Sequence, residues 1–335
     1  MRAILIKDGK GPIENLYFGE RPEPEVPKDY VLVKIKAFGL NGMDPIQRRG
    51  EYPLPPGTTD ILGVEFSGHV SAVGEGVSKW KQGDEVFGLA IGGAYAEYIA
   101  VNQTYILPKP SHLSWVDAAS IPEVYITAYQ ALFRVAQIKR GENVLIHSGA
   151  SGVGLAAIQL ARMSGANSVI TTASTKEKLD WLLSIPNGAT HTVNYKTEDF
   201  AAVAMEVTNG KGVDVIVDFV GQSHWTKNIE ALAYDGRMVH LAMLSGSIVK
   251  EMDLKKIIFK RLHILGSTLR ARDYEYKSAL ISDFGNEFGS SITGRDGEGP
   301  IKTYVQKVYS WKDIHAATHT LEAGKGIGKI VMEVD

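Results

Sequence analysis

The stretch Val144-Leu145-Ile146-His147-Ser148-Gly149-Ala150-Ser151-Gly152-Val153-Gly154 joins a short apolar run to a segment with Ala157, Leu160 and Ala161 at helical spacing. A strand that ends in a glycine-rich turn and opens a helix points free backbone N–H groups and the positive end of the helix dipole outward, which suits a dinucleotide pyrophosphate. Gly149, Gly152 and Gly154 let the backbone turn tightly and approach such a ligand. The spacing is G-x-x-G-x-G rather than G-x-G-x-x-G, so the glycines alone leave open a structural turn that merely packs helix on strand. Ser151 fits either a contact to cofactor or substrate or a helix N-cap. A hydrolase nucleophile elbow, G-x-S-x-G, is excluded because Val153 stands in its final position.

Downstream, strand-like segments at 144–147, 168–172, 192–195, 213–220 and 238–244 alternate with helical ones at 153–163, 176–185, 198–207 and 224–233. This alternation predicts a doubly wound parallel sheet. The β-branched run at 213–220 reads as a strand covered on both faces. Residues 116–136 are rich in Ala, Leu and Tyr at helical spacing. Upstream of about Pro110 the texture is different: short strands at 2–7, 30–38, 64–73, 84–89 and 95–101, punctuated by Gly74-Glu75-Gly76 and Gln82-Gly83-Asp84. That pattern predicts a partly closed β-barrel. Past Leu269 the chain turns polar and Gly-rich, 283–300 reads as loop, and strand character resumes at 302–309 and 329–334 without an evident sheet to join. The stretch 14–19 resembles a protease-cleavage tag, but a strand pattern precedes it and it reads as native.

At 335 residues the chain favours two domains. Lysine plus arginine (36) against aspartate plus glutamate (38) gives net charge −2, which argues against nucleic acid or anionic lipid as a main partner. The absence of cysteine removes disulfides, thiolate nucleophiles and sulfur-bound zinc. No apolar run reaches the roughly 18 residues of a membrane span, and 1–7 is charged too early for a signal peptide. A cytoplasmic protein is expected.

NAD sites carry an acidic residue at the end of the second strand to accept the ribose 2′-OH. Here Thr172-Ala173-Ser174-Thr175 has none, and Lys176 and Lys178 follow. A 2′-phosphate, and hence NADPH, is expected; solvation of an exposed helix is the other reading and the better one for Lys176.

The run Gly68-x-Val70-x-x-Val73-Gly74-x-Gly76-Val77 with Gly83-Asp84-x-Val86, followed by the 149–154 turn, resembles the medium-chain dehydrogenase/reductase superfamily over essentially the whole chain. Asn41-Gly42-Met43-Asp44, Gln47-Arg48-x-Gly50-x-Tyr52, Pro55-Pro56-Gly57, Ile61-Leu62-Gly63 and Ala94-Tyr95-Ala96-Glu97-Tyr98 are similar to its zinc-independent quinone oxidoreductases, and among these to the tumour-suppressor-inducible type. The resemblance implies a GroES-like, partly open β-barrel catalytic domain made of residues 1–120 and 270–335, with a Rossmann NADPH-binding domain inserted at 121–269. The strands after residue 300 then have a place. It also implies a homodimer and cofactor contacts at Thr127, Gly152, Val153, Lys178, Tyr195, Gly221, Leu244, Ser267 and Leu269, besides the glycine turn. Lys178 and Tyr195 align with adenosine-phosphate contacts. The chain departs from its relatives at 323–329, where an asparagine often meets the cofactor, and no residue is assigned there; 186–188 is a second departure.

Zinc-dependent members carry cysteine where Asn41 stands, histidine where Val64 stands and a second cysteine near Glu123. None is present, and His315 and His319, four apart, lack a metalloprotease glutamate, so no metal site is expected. Without a Lewis acid the substrate must already be a good hydride acceptor: a quinone, ortho-quinones in particular, or an α,β-unsaturated ketone. One hydrogen-bond donor at the developing oxyanion is worth about 10²–10³ in rate. Tyr52, a phenol of pKa about 10, is the candidate, with an aromatic wall of the pocket as its other reading. Asn41 would lie near the nicotinamide and bond substrate or cofactor, and Ser151 completes the candidate catalytic set. Two alternatives stand: an enoyl-thioester reductase, in which Arg48, Arg270 and Arg272 hold a pantetheine phosphate unless they are merely solvated, and a non-catalytic crystallin-like or RNA-binding relative that keeps NADPH.

Overall fold

The β-branched run Val213–Asp218 is a central strand of a six-stranded sheet in which every pairing is parallel. The order across the sheet is His191–Asn194, Ser168–Ala173, Asn143–Ile146, Val213–Asp218, Leu232–His240 and His263–Gly266. In order of appearance this is 3-2-1-4-5-6, the doubly wound arrangement, whose direction of winding reverses between the first and fourth strands. Leu145, Ile170, Ile216 and Met238 stand opposite one another in register and are fully buried under Phe200, Ala204 and Ile229 of the covering helices. Each such side chain contributes roughly 1.5–3 kcal/mol on burial. These elements lie within Thr127–Leu269, one of two compact units into which the chain divides; the computed structural model describes Met1–Asp335 throughout.

The other unit combines Met1–Ile126 with Arg270–Asp335. Its organising element is the long strand Tyr30–Leu40, which pairs antiparallel with Glu65–Val73, Tyr98–Asn102 and Lys329–Glu333. Glu85–Leu89 and Ile106–Pro108 extend one side, and Val305–Ser310 adds to Lys329–Glu333 on the other. The strands after residue 300 therefore complete a sheet begun near the start of the sequence. The segment containing the tag-like residues forms the strand Leu16–Glu20, paired with Arg2–Ile6.

Several local readings change. The helical stretch at 116–136 breaks into Trp115–Ala119, Pro122–Tyr129 and a π-helical turn Gln130–Val135, because Pro122 cannot continue a helix but readily opens one. The loop read at 283–300 begins later: Tyr274–Phe288 is a helix that buries Leu280, Ile281, Phe284 and Phe288. Gly285 is not a breaker there; a Cβ at that position would press on Leu107. The fifth strand starts at Leu232 rather than 238, passing through Asp235 at φ 58°, where the pairing shifts register. The helix Lys255–Phe259 and the strand His263–Gly266 follow it without a clear pattern in the sequence. No helix is long and apolar enough to cross a membrane.

Candidate active site

In the Thr127–Leu269 unit, the glycine turn follows the carboxyl end of Asn143–Ile146, beside the point where the winding reverses, where sheets of this kind bind ligands. A Cβ at Gly149 would overlap the Thr171 hydroxyl, and one at Gly154 the Ser148 carbonyl, so both glycines are needed for the backbone to lie where it does. Ser151 Oγ accepts the Gly154 N–H at 3.1 Å and caps the helix Gly152–Met163. Gly152 and Val153 fall in the first turn of that helix, where backbone N–H groups have no intrahelical partner. His147 is fully buried between Thr172 Oγ1 (3.1 Å) and Asn228 Oδ1 (2.7 Å), and burial pushes its pKa down to about 4. It is a neutral structural group.

The hydroxyls of Thr127 and Ser267 are buried without a hydrogen-bond partner. An unmet buried donor costs roughly 1–3 kcal/mol, which a bound ligand atom would offset. Gly221 sits at φ 81° against the Gly246 carbonyl, Leu269 is buried, and Leu244 is exposed. The two lysines separate: Lys176 is 85% exposed and paired with Asp180 at 2.6 Å, whereas Lys178 is partly buried and burial lowers its pKa, with Lys196 adding to the same effect. Tyr195 is exposed, its ring 5.7 Å from that of His224. Orphaned hydroxyls, a cradle that a Cβ would fill and a cationic strand end fit a dinucleotide.

The other unit holds a buried polar cluster around Asn41. In-register pairing of Ile330 with Leu40 brings Lys329 alongside Asn41. The Lys329 ammonium donates to Leu40 O, Asn41 Oδ1 and Glu65 Oε1, each at 2.6 Å. Asn41 Nδ2 donates to Glu65 Oε1 at 2.9 Å, and Glu65 Oε2 accepts the Glu123 N–H at 2.8 Å. Gly39 makes this possible, since a Cβ there would overlap the Glu65 carboxylate. With its oxygen and one N–H engaged, Asn41 retains one amide hydrogen for a ligand. Asp44 Oδ2 accepts from Asn41 N (2.7 Å) and Tyr95 OH (2.8 Å), and burial raises its pKa to about 6. Burial, with the Glu65 charge beside it, raises Glu123 to about 8.

Tyr52 is half-buried and sits over the Arg270 guanidinium at 5.4 Å. Burial pushes its phenol above the ordinary 10, against the pull of Arg270. Arg270 is itself buried, donating to Ile91 O (2.8 and 2.6 Å) and Gln47 Oε1 (2.7 Å). Arg48 is buried as well, held by Gly11 O and Glu322. The reading of these two as solvated arginines is thus corrected: both are buried and bonded inside the fold, whereas Arg272 lies over the Tyr276 ring. Glu65, Asp44 and Lys329 were not singled out from sequence as site residues, and Glu123 only as a position from which a zinc ligand is missing; strand pairing brings Glu65 and Lys329 together, and the helices Met43–Arg48 and Pro122–Tyr129 add Asp44 and Glu123.

At the positions where zinc-dependent dehydrogenases hold their metal, the chain offers an amide facing an ammonium, an aliphatic Val64 and a carboxyl held neutral at pH 7. A dication there would stand beside the Lys329 charge, and these residues do not fit zinc. His315 Nε2 is engaged with Leu16 O at 2.8 Å.

Residues 27–111 match the alcohol dehydrogenase GroES-like domain, and residues 152–283 match the zinc-binding dehydrogenase family. Human quinone oxidoreductase is 33% identical over 335 residues, 99% of this chain and 97% of that protein. The structure of Escherichia coli quinone oxidoreductase complexed with NADPH superposes with TM-score 0.85 at 31% identity, covering 99% of each chain. The CurK enoyl reductase superposes with TM-score 0.87 at 29% identity, covering 100% of this chain and 99% of that one. Highly-reducing polyketide synthase 1 of Aureobasidium melanogenum is 29% identical over 96% of this chain, which spans only 14% of that protein. Two family matches and near-complete coverage of a quinone oxidoreductase agree with the 3-2-1-4-5-6 sheet and the barrel-like partner unit: the chain belongs to the medium-chain dehydrogenase/reductase superfamily of oxidoreductases, alongside its quinone oxidoreductases.

Proposed function

We propose that this protein is a zinc-independent, NADPH-dependent reductase of quinones, ortho-quinones in particular, or of α,β-unsaturated ketones, working in the cytoplasm as a homodimer. The observation that carries the reading is a half-buried Tyr52 phenol over the buried Arg270, in the same unit as the buried Glu123 carboxyl; burial favours the protonated, donating form of both groups. A conjugated carbonyl needs such donors at its oxygen and needs no metal. NADPH, when bound, supplies the hydride. Thr127, Ser267, Gly221, Leu244, Leu269 and the 149–154 turn would hold the dinucleotide, with Lys178 and Tyr195 at its adenosine phosphate. Arg270 supports the Tyr52 ring, and Asn41, fixed by Lys329 and Glu65, offers its remaining amide hydrogen. Ser151 contributes by presenting the helix amides.

Enoyl-thioester reduction is the second reading, supported by the likeness to the CurK enoyl reductase. Oxidation of NADPH and NADH is to be compared across ortho-quinones, para-quinones, enones and enoyl thioesters, with semiquinone detection. Turnover is expected with NADPH on quinones or enones. Lys178→Ala is expected to weaken NADPH at least tenfold more than NADH, and equal losses would remove the case for phosphate recognition. Preference for enoyl thioesters would move the assignment to the second reading. Retained NADPH binding with no acceptor reduced would move it to a non-catalytic relative.

A further inference from the structure

Lys277 lies in the first turn of the helix Tyr274–Phe288 and is 8% exposed. Its ammonium has one hydrogen-bond acceptor, Arg270 O at 3.4 Å, and lies 5.1 Å from the centre of the Tyr105 ring. Neither partner is an anion. Asp273, whose charge reaches Lys277, uses Oδ1 to cap the Tyr276 N–H. An ammonium carries three donors, and a buried charge is costly unless paired. Lys277 therefore has hydrogen-bonding capacity that the protein leaves unfilled.

Lys277 is part of the wall of a cavity of about 590 Å³ lying within the same unit. Tyr98, Tyr105 and Tyr274 present aromatic surface to it, and Ala100 and Ile91 complete the stretch of wall that matters here. The volume falls in the roughly 300–1,000 Å³ range of small-ligand sites, and tyrosine faces favour a flat, apolar body. The other charged side chains at its edge, Arg21 and Asp60, already pair with each other at 3.0 Å. Among the charged side chains of the wall, Lys277 is the one with no anionic hydrogen-bond partner, and beside aromatic residues it suits a negative charge on a planar molecule.

We propose that this cavity, whose lining includes neither Asn41 nor the residues of the glycine turn, is a second ligand site that takes a planar aromatic monocarboxylate with its carboxylate on Lys277. An occupant would touch the side chain bonded to Arg270 O and the Ile91 residue whose carbonyl holds the Arg270 guanidinium under Tyr52. The site thus borders the support of a candidate catalytic donor.

Isothermal titration calorimetry of 2-naphthoate into the full chain, with and without saturating NADPH, tests this. Saturable binding of one equivalent, retained with NADPH, is expected. Lys277→Met and Ala100→Trp, which remove the charge and fill the cavity respectively, should each weaken it at least tenfold. The neutral isostere 2-naphthamide should bind wild type at least tenfold more weakly than the acid. No saturable binding, equal affinity for acid and amide, or binding unchanged in both variants overturns the proposal. Displacement by NADPH together with indifference to both variants would assign the probe to the nucleotide site. Thermal unfolding of each variant establishes that it folds; if one does not, the other variant and the amide comparison decide.

Discussion

Glu123 carries a proton at neutral pH that an ordinary glutamate would have lost, because burial and the neighbouring Glu65 charge raise its pKa from 4.5 to about 8. Its folded value lies above its unfolded one, so the folded chain binds more protons between the two. Its contribution to stability is complete below about 4.5 and disappears as pH rises through about 8. Glu123→Gln, which keeps the shape but cannot ionise, should therefore unfold at a temperature a few degrees above wild type at pH 9 and close to it at pH 5. A melting difference that does not grow with pH would show that Glu123 is ionised in the fold. The residues around Glu123 explain why so little of this cluster was legible in the sequence. Asn41 drew attention through its motif, but its partner Lys329 lies 288 positions away, and no periodicity links them. Tyr52 and Lys178 could be singled out as candidates because each stands in or directly after a recognisable local pattern.

The elements that sequence conveyed best are those whose signal is local. The strand Asn143–Ile146, its glycine turn and the helix Gly152–Met163 each carry their own pattern, and the structure places them end to end as read. The helix Tyr274–Phe288 was not read from sequence at all: the stretch past Leu269 is polar and Gly-rich, and Gly285 mimics a loop signal, while its purpose, close approach to Leu107, belongs to another element. The glycine turn permits a test of two roles. Ser151→Ala removes the cap on the Gly154 N–H and should cost about 1 kcal/mol in urea unfolding. Gly149→Ala must push against the Thr171 hydroxyl and should cost roughly 1–3 kcal/mol while weakening NADPH at least tenfold. If Ser151→Ala leaves stability unchanged yet abolishes turnover, its hydroxyl acts on the reaction and not on the helix.

For the molecule as a whole, one unit is continuous in sequence and the other is assembled from both sides of it. Tyr30–Leu40 bonds to Lys329–Glu333 far along the chain, whereas the parallel sheet finds all its partners within Thr127–Leu269. Native-state hydrogen exchange in mild denaturant should accordingly resolve two cooperative blocks. Amides of Lys329–Glu333 should open with those of Tyr30–Leu40 and apart from those of Val213–Asp218; one common opening free energy for all three would contradict this. The same arrangement sets an order on synthesis. Glu65 emerges from the ribosome early, and the ammonium that neutralises it emerges only after the entire inserted unit, an interval on the order of ten seconds or more at typical translation rates. During that time the nucleotide-binding unit can complete its sheet, while the Ala37–Leu40 stretch of Tyr30–Leu40 waits for its partner strand and Glu65 for its cation. The nascent barrel is thus the unit that stays longest with an unpaired strand edge.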